Sequence, residues 1–158
     1  MKQILFWIGA IVVAAACNGL IYQKEQTLAH GRQVFLKLAP VDPRSLMQGD
    51  YMRLGYDLAD QLRATKLPPD GHLMVQLDAQ GIGTTARLAD GKPLAANETL
   101  LRYRNRNGLR LGAESFFFQE GQAQTYTQAK YGELRVDASG DSVLVGLRGE
   151  KLEVLSKP

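Results

Sequence analysis

Three aspartates, Asp42, Asp50 and Asp57, fall close together in the chain. Converging carboxylates are what general acid/base hydrolysis needs, one to give a proton and one to take it. Asp is also the common turn and capping residue, so the spacing alone leaves both readings open. Other chemistry finds little to build on. His30 and His72 are far apart, with no Cys or paired carboxylate at metal-ligand spacing, so neither a metal nor a cofactor is expected. Ser45 and Ser115 lack the local context of an activated nucleophile. Gly81-Ile82-Gly83 lacks the following Gly and the helix start of a phosphate loop. The chain reads more readily as a non-enzyme than as an enzyme.

A second group of chemically competent residues is cationic. Between Leu101 and Gly112 the sequence suggests a hairpin, and its register decides what Arg102, Arg104 and Arg110 do. A two-residue Asn107-Gly108 turn would put Arg104 and Arg106 on the face of Leu109 and Leu111. A three-residue loop, Arg106-Asn107-Gly108 with a left-handed Gly, removes that conflict. Leu101, Tyr103 and Asn105 then share a face with Leu109, Leu111 and Ala113, and the three arginines share the other. Guanidinium forks on one face suit lipid phosphates or an acidic partner. They suit better still a solvated face on which like charges discourage edge pairing. Nucleic acid is not expected, since only Tyr103 is interleaved as a stacking ring.

The elements that must carry these residues begin with an apolar run, Ile4 to Tyr22, broken briefly at Asn18-Gly19. As a helix it would be about 28 Å long, near the thickness of a bilayer's hydrocarbon core. Trp7 and Tyr22 stand towards its ends, where amphipathic rings prefer the interface. A retained anchor competes with a cleaved signal peptide, and with lipidation at Cys17 behind the lipobox-like Ala14-Ala15-Ala16. Apolar residues continuing past Cys17 favour the anchor. Residues 1–23 are therefore taken as the anchor and 24–31 as a polar connector, helical to His30-Gly31.

The remainder, 32–158, is expected to be one mainly β domain, an antiparallel sheet, sandwich or small barrel. The whole chain is 45% hydrophobic and 22% charged with a formal charge of +3, which fits neither a disordered nor a polytopic protein. Cys17 is the only cysteine, so no intramolecular disulfide can staple the fold. Val34, Leu36 and Leu38 alternate with Gln33, Phe35 and Lys37. Leu73, Val75 and Leu77 lead through Gln80-Gly81 into Ile82 to Leu88. Leu134 and Val136 pair with Val143, Val145 and Leu147 across Ala138 to Asp141, and Leu152 to Leu155 would add a last strand. Short helices are expected over 56–65 and 121–130.

The strongest local signal runs from Pro40 to Tyr56, where Pro and Asp set turns and Gly49 permits a left-handed residue. The strand that follows has Met52, Leu54 and Tyr56 on one face, and Tyr51 and Arg53 on the other. Gly49-Asp50-Tyr51-x-x-Leu54-x-Tyr56 resembles the signature of the GDYXXLXY family. Pro40 to Pro43 and Phe116 to Gly121 are similar to its pattern too. The resemblance implies a small bacterial protein with an N-terminal membrane helix in the inner membrane and one extracytoplasmic, periplasmic domain. It implies association with a polytopic membrane protein, for which Gly49, Asp50, Tyr51, Leu54 and Tyr56 are the expected contact region. Signal peptidases and self-cleaving repressors also set a Gly-Asp before a strand. The position of their upstream serine is held here by Val41, which cannot attack a carbonyl. The leading expectation is thus a non-enzymatic accessory domain on a membrane. The alternatives are an envelope hydrolase using Asp42, Asp50 and Asp57, and a lipid- or ligand-binding barrel using the arginine face.

Overall fold

The computed structural model describes residues 2–39, 51–106, 108–119 and 121–155. It opens with helix α1 (Lys2–His30) and strands β1 (Arg32–Lys37) and β2 (Tyr51–Arg53), then α2 (Asp57–Gln61), β3 (Asp70–Leu77) and β4 (Gly83–Leu88). The chain continues through β5 (Glu98–Asn105), β6 (Leu109–Leu111), β7 (Ser115–Phe117), α3 (Ala123–Tyr126), β8 (Tyr131–Val136) and β9 (Ser142–Arg148). All paired strands within the sheets are antiparallel. β1-β8-β9 form one sheet, β4-β3-β5-β6 a second, and β2 and β7 a separate two-stranded ribbon. An isolated bridge from Phe35 to Ile82 links the two larger sheets, which curl into a half-barrel.

The core fills the concavity of that half-barrel. Val34 and Leu36 of β1, Leu73, Val75 and Leu77 of β3, and Leu101 and Tyr103 of β5 meet Leu111, Leu134, Val136 and Leu147 there. Leu54, Tyr56, Leu58 and Leu62 belong to the same cluster. Period-two alternation is what places these residues on one side of each strand, and removing that apolar surface from water is the main stabilising term.

Helix α1 runs without interruption from the apolar segment into the domain. It is long and apolar enough to cross a membrane, and large side chains such as Phe6, Trp7, Ile11, Leu20 and Tyr22 lie exposed around it. Only its last turns meet the sheets. Gly31 ends it by close approach: its N–H bonds the Thr27 carbonyl at 2.9 Å. A Cβ there would lie 2.3 Å from that same oxygen.

Several expectations are corrected in detail. Both predicted short helices are shorter than their patterns suggested, because neither has an apolar stripe long enough to hold further turns against the sheet. Leu152 to Leu155 do not extend a strand. Leu152 takes a left-handed φ of 61° in a turn, and one bridge from Arg148 to Val154 is all that forms. A bulge between Glu133 and Leu134 moves Val145 out of register, so Leu144 packs against the core and Val145 is exposed. Phe35, on the face assigned to polar residues, is buried as well.

Candidate functional site

The signature segment enters the fold as β2, paired with β7 so that Tyr51 faces Phe117, Met52 faces Phe116 and Arg53 faces Ser115. Met52, Leu54 and Tyr56 point into the core, as the alternation requires. Regular pairing stops at Arg53. From there the backbone is held piecewise, with Leu54 N–H donating to the Glu114 carbonyl at 2.7 Å and Ala39 N–H to the Gly55 carbonyl at 2.9 Å. The Tyr56 ring packs beside Gly132, and its hydroxyl donates to the Ala113 carbonyl at 2.7 Å. Burial, and secondarily the charge of Glu114, pushes the Tyr56 phenol far above its ordinary pKa, so it remains a donor.

Leu54 and Tyr56 are therefore largely buried residues that seat the strand. Gly49, Asp50 and Asp42 lie outside the described residues. Asp57, the third carboxylate of the hydrolase alternative, stands in the first turn of α2 and accepts a hydrogen bond from Gln61 at 3.1 Å. Among the described residues, no three His, Cys, Asp or Glu side chains gather as a metal ion would need.

What the motif does bring to the surface is aromatic. Tyr51 and Phe117 sit side by side on the outer face of the ribbon, with ring centroids 5.6 Å apart and planes tilted by 38°. Phe117 is 73% exposed. Behind them Phe116 and Phe118 pack on Tyr126 at 5.0 and 5.3 Å, fixing the ribbon against α3. Beside α2 a cleft of about 310 Å³ opens, walled by Leu54, Tyr56, Leu62, Leu109 and Leu111 among others.

The arginine hairpin has the three-residue register. Tyr103 pairs with Leu111, Arg104 with Arg110 and Asn105 with Leu109, and Gly108 carries a φ of 104° in the loop. Arg102, Arg104 and Arg110 share the exposed face. Arg102 reaches Asp141 at 3.2 Å and Arg110 reaches Glu114 at 3.0 Å.

Sequence reasoning passed over two sites. One is Phe117, which alternation through Phe116-Phe117-Phe118 turns outward. Glu133 went unnoticed, and it is 2% exposed. Gln33 donates to its Oε1 at 2.6 Å, and Arg148 holds its Oε2 through Nε and Nη2. No local pattern marks that cluster, since its members come from three strands.

A half-barrel of antiparallel strands with a separate Tyr-bearing ribbon, joined among the described residues to one helix long and apolar enough to cross a membrane, defines a small β-rich domain with an N-terminal apolar helix. The chain matches the family described as GDYXXLXY protein over residues 13–147, and it belongs to that family. No curated protein and no solved structure matches it.

Proposed function

We propose that this is a membrane-anchored, non-enzymatic accessory protein that binds a polytopic membrane protein through the β2–β7 ribbon. In this reading residues 1–23 are a retained anchor in a bacterial inner membrane, 24–31 a connector, and 32–158 a periplasmic domain. The observation that carries it is the Tyr51–Phe117 pair, two adjacent aromatic rings, one largely exposed, on a ribbon braced from behind. Exposed aromatics on a rigid support are the groups that most often dominate the energy of a protein interface. Gly49 and Asp50 immediately precede Tyr51 in the chain and are assigned to the same contact region. Retention of the anchor is supported by the unbroken helix through Cys17 and by its docking on the domain at Thr27.

The test is a photo-crosslinking residue placed at position 117 of the full-length chain in its native membrane, with position 145 as an exposed control. A discrete adduct with an integral membrane protein from 117 and not from 145 is expected. Equal adducts from both positions, or none from 117, would defeat the assignment.

A further inference from the structure

We propose that the cleft between α1 and the β5–β6 hairpin binds the phosphate head groups of anionic phospholipids. This rests on the membrane-anchored half of the reading above and is independent of the ribbon and its partner.

Three observations carry it. The first is composition. Lys24 of α1 lines one cleft, of about 490 Å³, with Arg102, Arg104 and Arg110. The same three arginines line an adjoining cleft with Arg106 and Asp70. Across both, five cations face three carboxylates: Asp70, Glu114 and Asp141.

The second is pairing. Arg104 lies directly opposite Arg110 in the hairpin register, a like-charge pairing that Asp70, opposite Arg104 on β3, offsets only in part and that a bridging anion would relieve. Asp141 and Glu114 neutralise Arg102 and Arg110. Among the described residues, Lys24, Arg104 and Arg106 form no ion pair. Guanidinium groups meet phosphate oxygens in a bidentate fork, so the arginines without a carboxylate partner suit a phosphodiester.

The third is depth. Lys24 is the first charged residue after the apolar run, two residues beyond Tyr22, or about 3 Å along the helix. Thr27, about 4.5 Å further on, is already packed against the domain. The helix has no break between them. The cleft that contains Lys24 therefore stands where head groups begin, and juxtamembrane basic clusters are drawn to anionic lipid surfaces.

The experiment uses the full-length chain in neutral detergent, with bound lipid counted by native mass spectrometry. Phosphatidylglycerol and phosphatidylcholine of identical chains are offered in competition, and Arg87→Gln serves as an exposed-arginine control. The wild type should retain phosphatidylglycerol at least roughly ten-fold over phosphatidylcholine. Arg104→Gln/Arg110→Gln should lose that preference, by about five-fold for each charge removed, while Arg87→Gln keeps it. If the double variant fails to fold, Arg106→Gln in the exposed loop should show the single-charge loss. Equal retention of both lipids by the wild type, or a preference untouched by Arg104→Gln/Arg110→Gln, overturns the proposal. Inorganic phosphate that competes the lipid off at equal concentration reassigns the site to a soluble phosphate compound and overturns it as well. Alkaline extraction of native membranes separates the two failures: a chain released by carbonate sinks the anchor itself, whereas a retained chain without lipid preference sinks only the cleft.

Discussion

The Thr27 hydroxyl lies 3.0 Å from Oδ2 of Asp137, joining the last turns of α1 to the β8–β9 turn. Ionised Asp137 can only accept, so the hydroxyl donates to it. Asp137 Oδ1 meanwhile accepts from Ser139 N and Asp141 N at 2.9 and 3.1 Å, which shapes the turn itself. One carboxylate thus bonds both the turn and the helix. Burial would raise the Asp137 pKa, but hydrogen bonds from Ser139, Thr27 and Asp141 outweigh it and hold the group below the usual value.

A pH prediction follows from that lowered value. A carboxylate held below its unfolded pKa contributes stability that is fully present above about 3.9 and is lost as pH falls through the folded value. Asp137→Asn should flatten the acid limb of a stability–pH curve relative to wild type and leave neutral stability within about 1 kcal/mol. Asp90, drawn down to about 2 by Lys92, and Glu98, drawn down by the Ala95 amide and Arg87, slope the same way, so the variant-minus-wild-type difference is what reports on Asp137. Thr27→Val leaves Oδ2 without its donor and should destabilise by about 1–2 kcal/mol at neutral pH. Chemical unfolding in detergent micelles at stepped pH measures both.

The Glu133–Arg148 pair should behave non-additively. Arg148→Met strands a buried carboxylate whose remaining side-chain partner is Gln33, and about 3 kcal/mol of stability should be lost. Glu133→Leu leaves a guanidinium that is partly exposed and should be milder. The double variant should be more stable than Arg148→Met alone, because no unpaired charge is left inside. A double-mutant cycle by denaturant unfolding gives the coupling directly.

Alkaline titration separates two tyrosines. Burial raises the pKa of both Tyr56 and Tyr103, with Glu114 adding to the first and Asp70 to the second. The Tyr103 hydroxyl is buried without a partner among the described residues. Groups whose folded pKa is raised contribute stability that is complete below the unfolded value, about 10, and declines as pH rises towards the folded one. Stability should therefore fall above pH about 10, and less steeply in Tyr56→Phe. That variant should lose about 1 kcal/mol at neutral pH with its bond to Ala113, whereas Tyr56→Ala, which opens a cavity, should lose about 3–5 kcal/mol. Phenolate absorbance followed beside the unfolding signal checks the order of events.

What was legible in the sequence depended on whether a single segment carried its own constraint. The hairpin register at Arg104 and Arg110 was readable because only one loop length keeps Leu109 and Leu111 inside. The helical connector to His30-Gly31 was readable from its composition and terminal Gly. Val145 was not, because the irregularity opposite Glu133 and Leu134 leaves no mark in the local alternation of β9. The roles of Leu54 and Tyr56 were half readable: their common face was visible, but a fixed motif looks the same whether its residues seat a strand or meet a partner. Asp42 and Asp50 lie outside the described residues, and Asp57 has a helix-start environment that needs no catalysis to account for it.

Two glycines in the strands make opposite predictions from the same substitution. At Gly83 an added Cβ would come within 2.9 Å of Leu36 Cδ2 and 3.0 Å of Val75 Cγ1, inside the core. Those side chains cannot both withdraw from a packed interior, so Gly83→Ala should destabilise by about 1–3 kcal/mol. At Gly146, which pairs with Glu133 beside the bulge, an added Cβ meets nothing within 4 Å. Gly146→Ala narrows the unfolded ensemble without a clash and should be neutral or stabilising, by up to about 1 kcal/mol. Thermal unfolding of the two variants side by side decides it. A Gly83→Ala protein as stable as wild type would mean that the β1–β3–β4 core has room to yield, and the packing of Leu36 against Val75 would have to be looser than the contacts require.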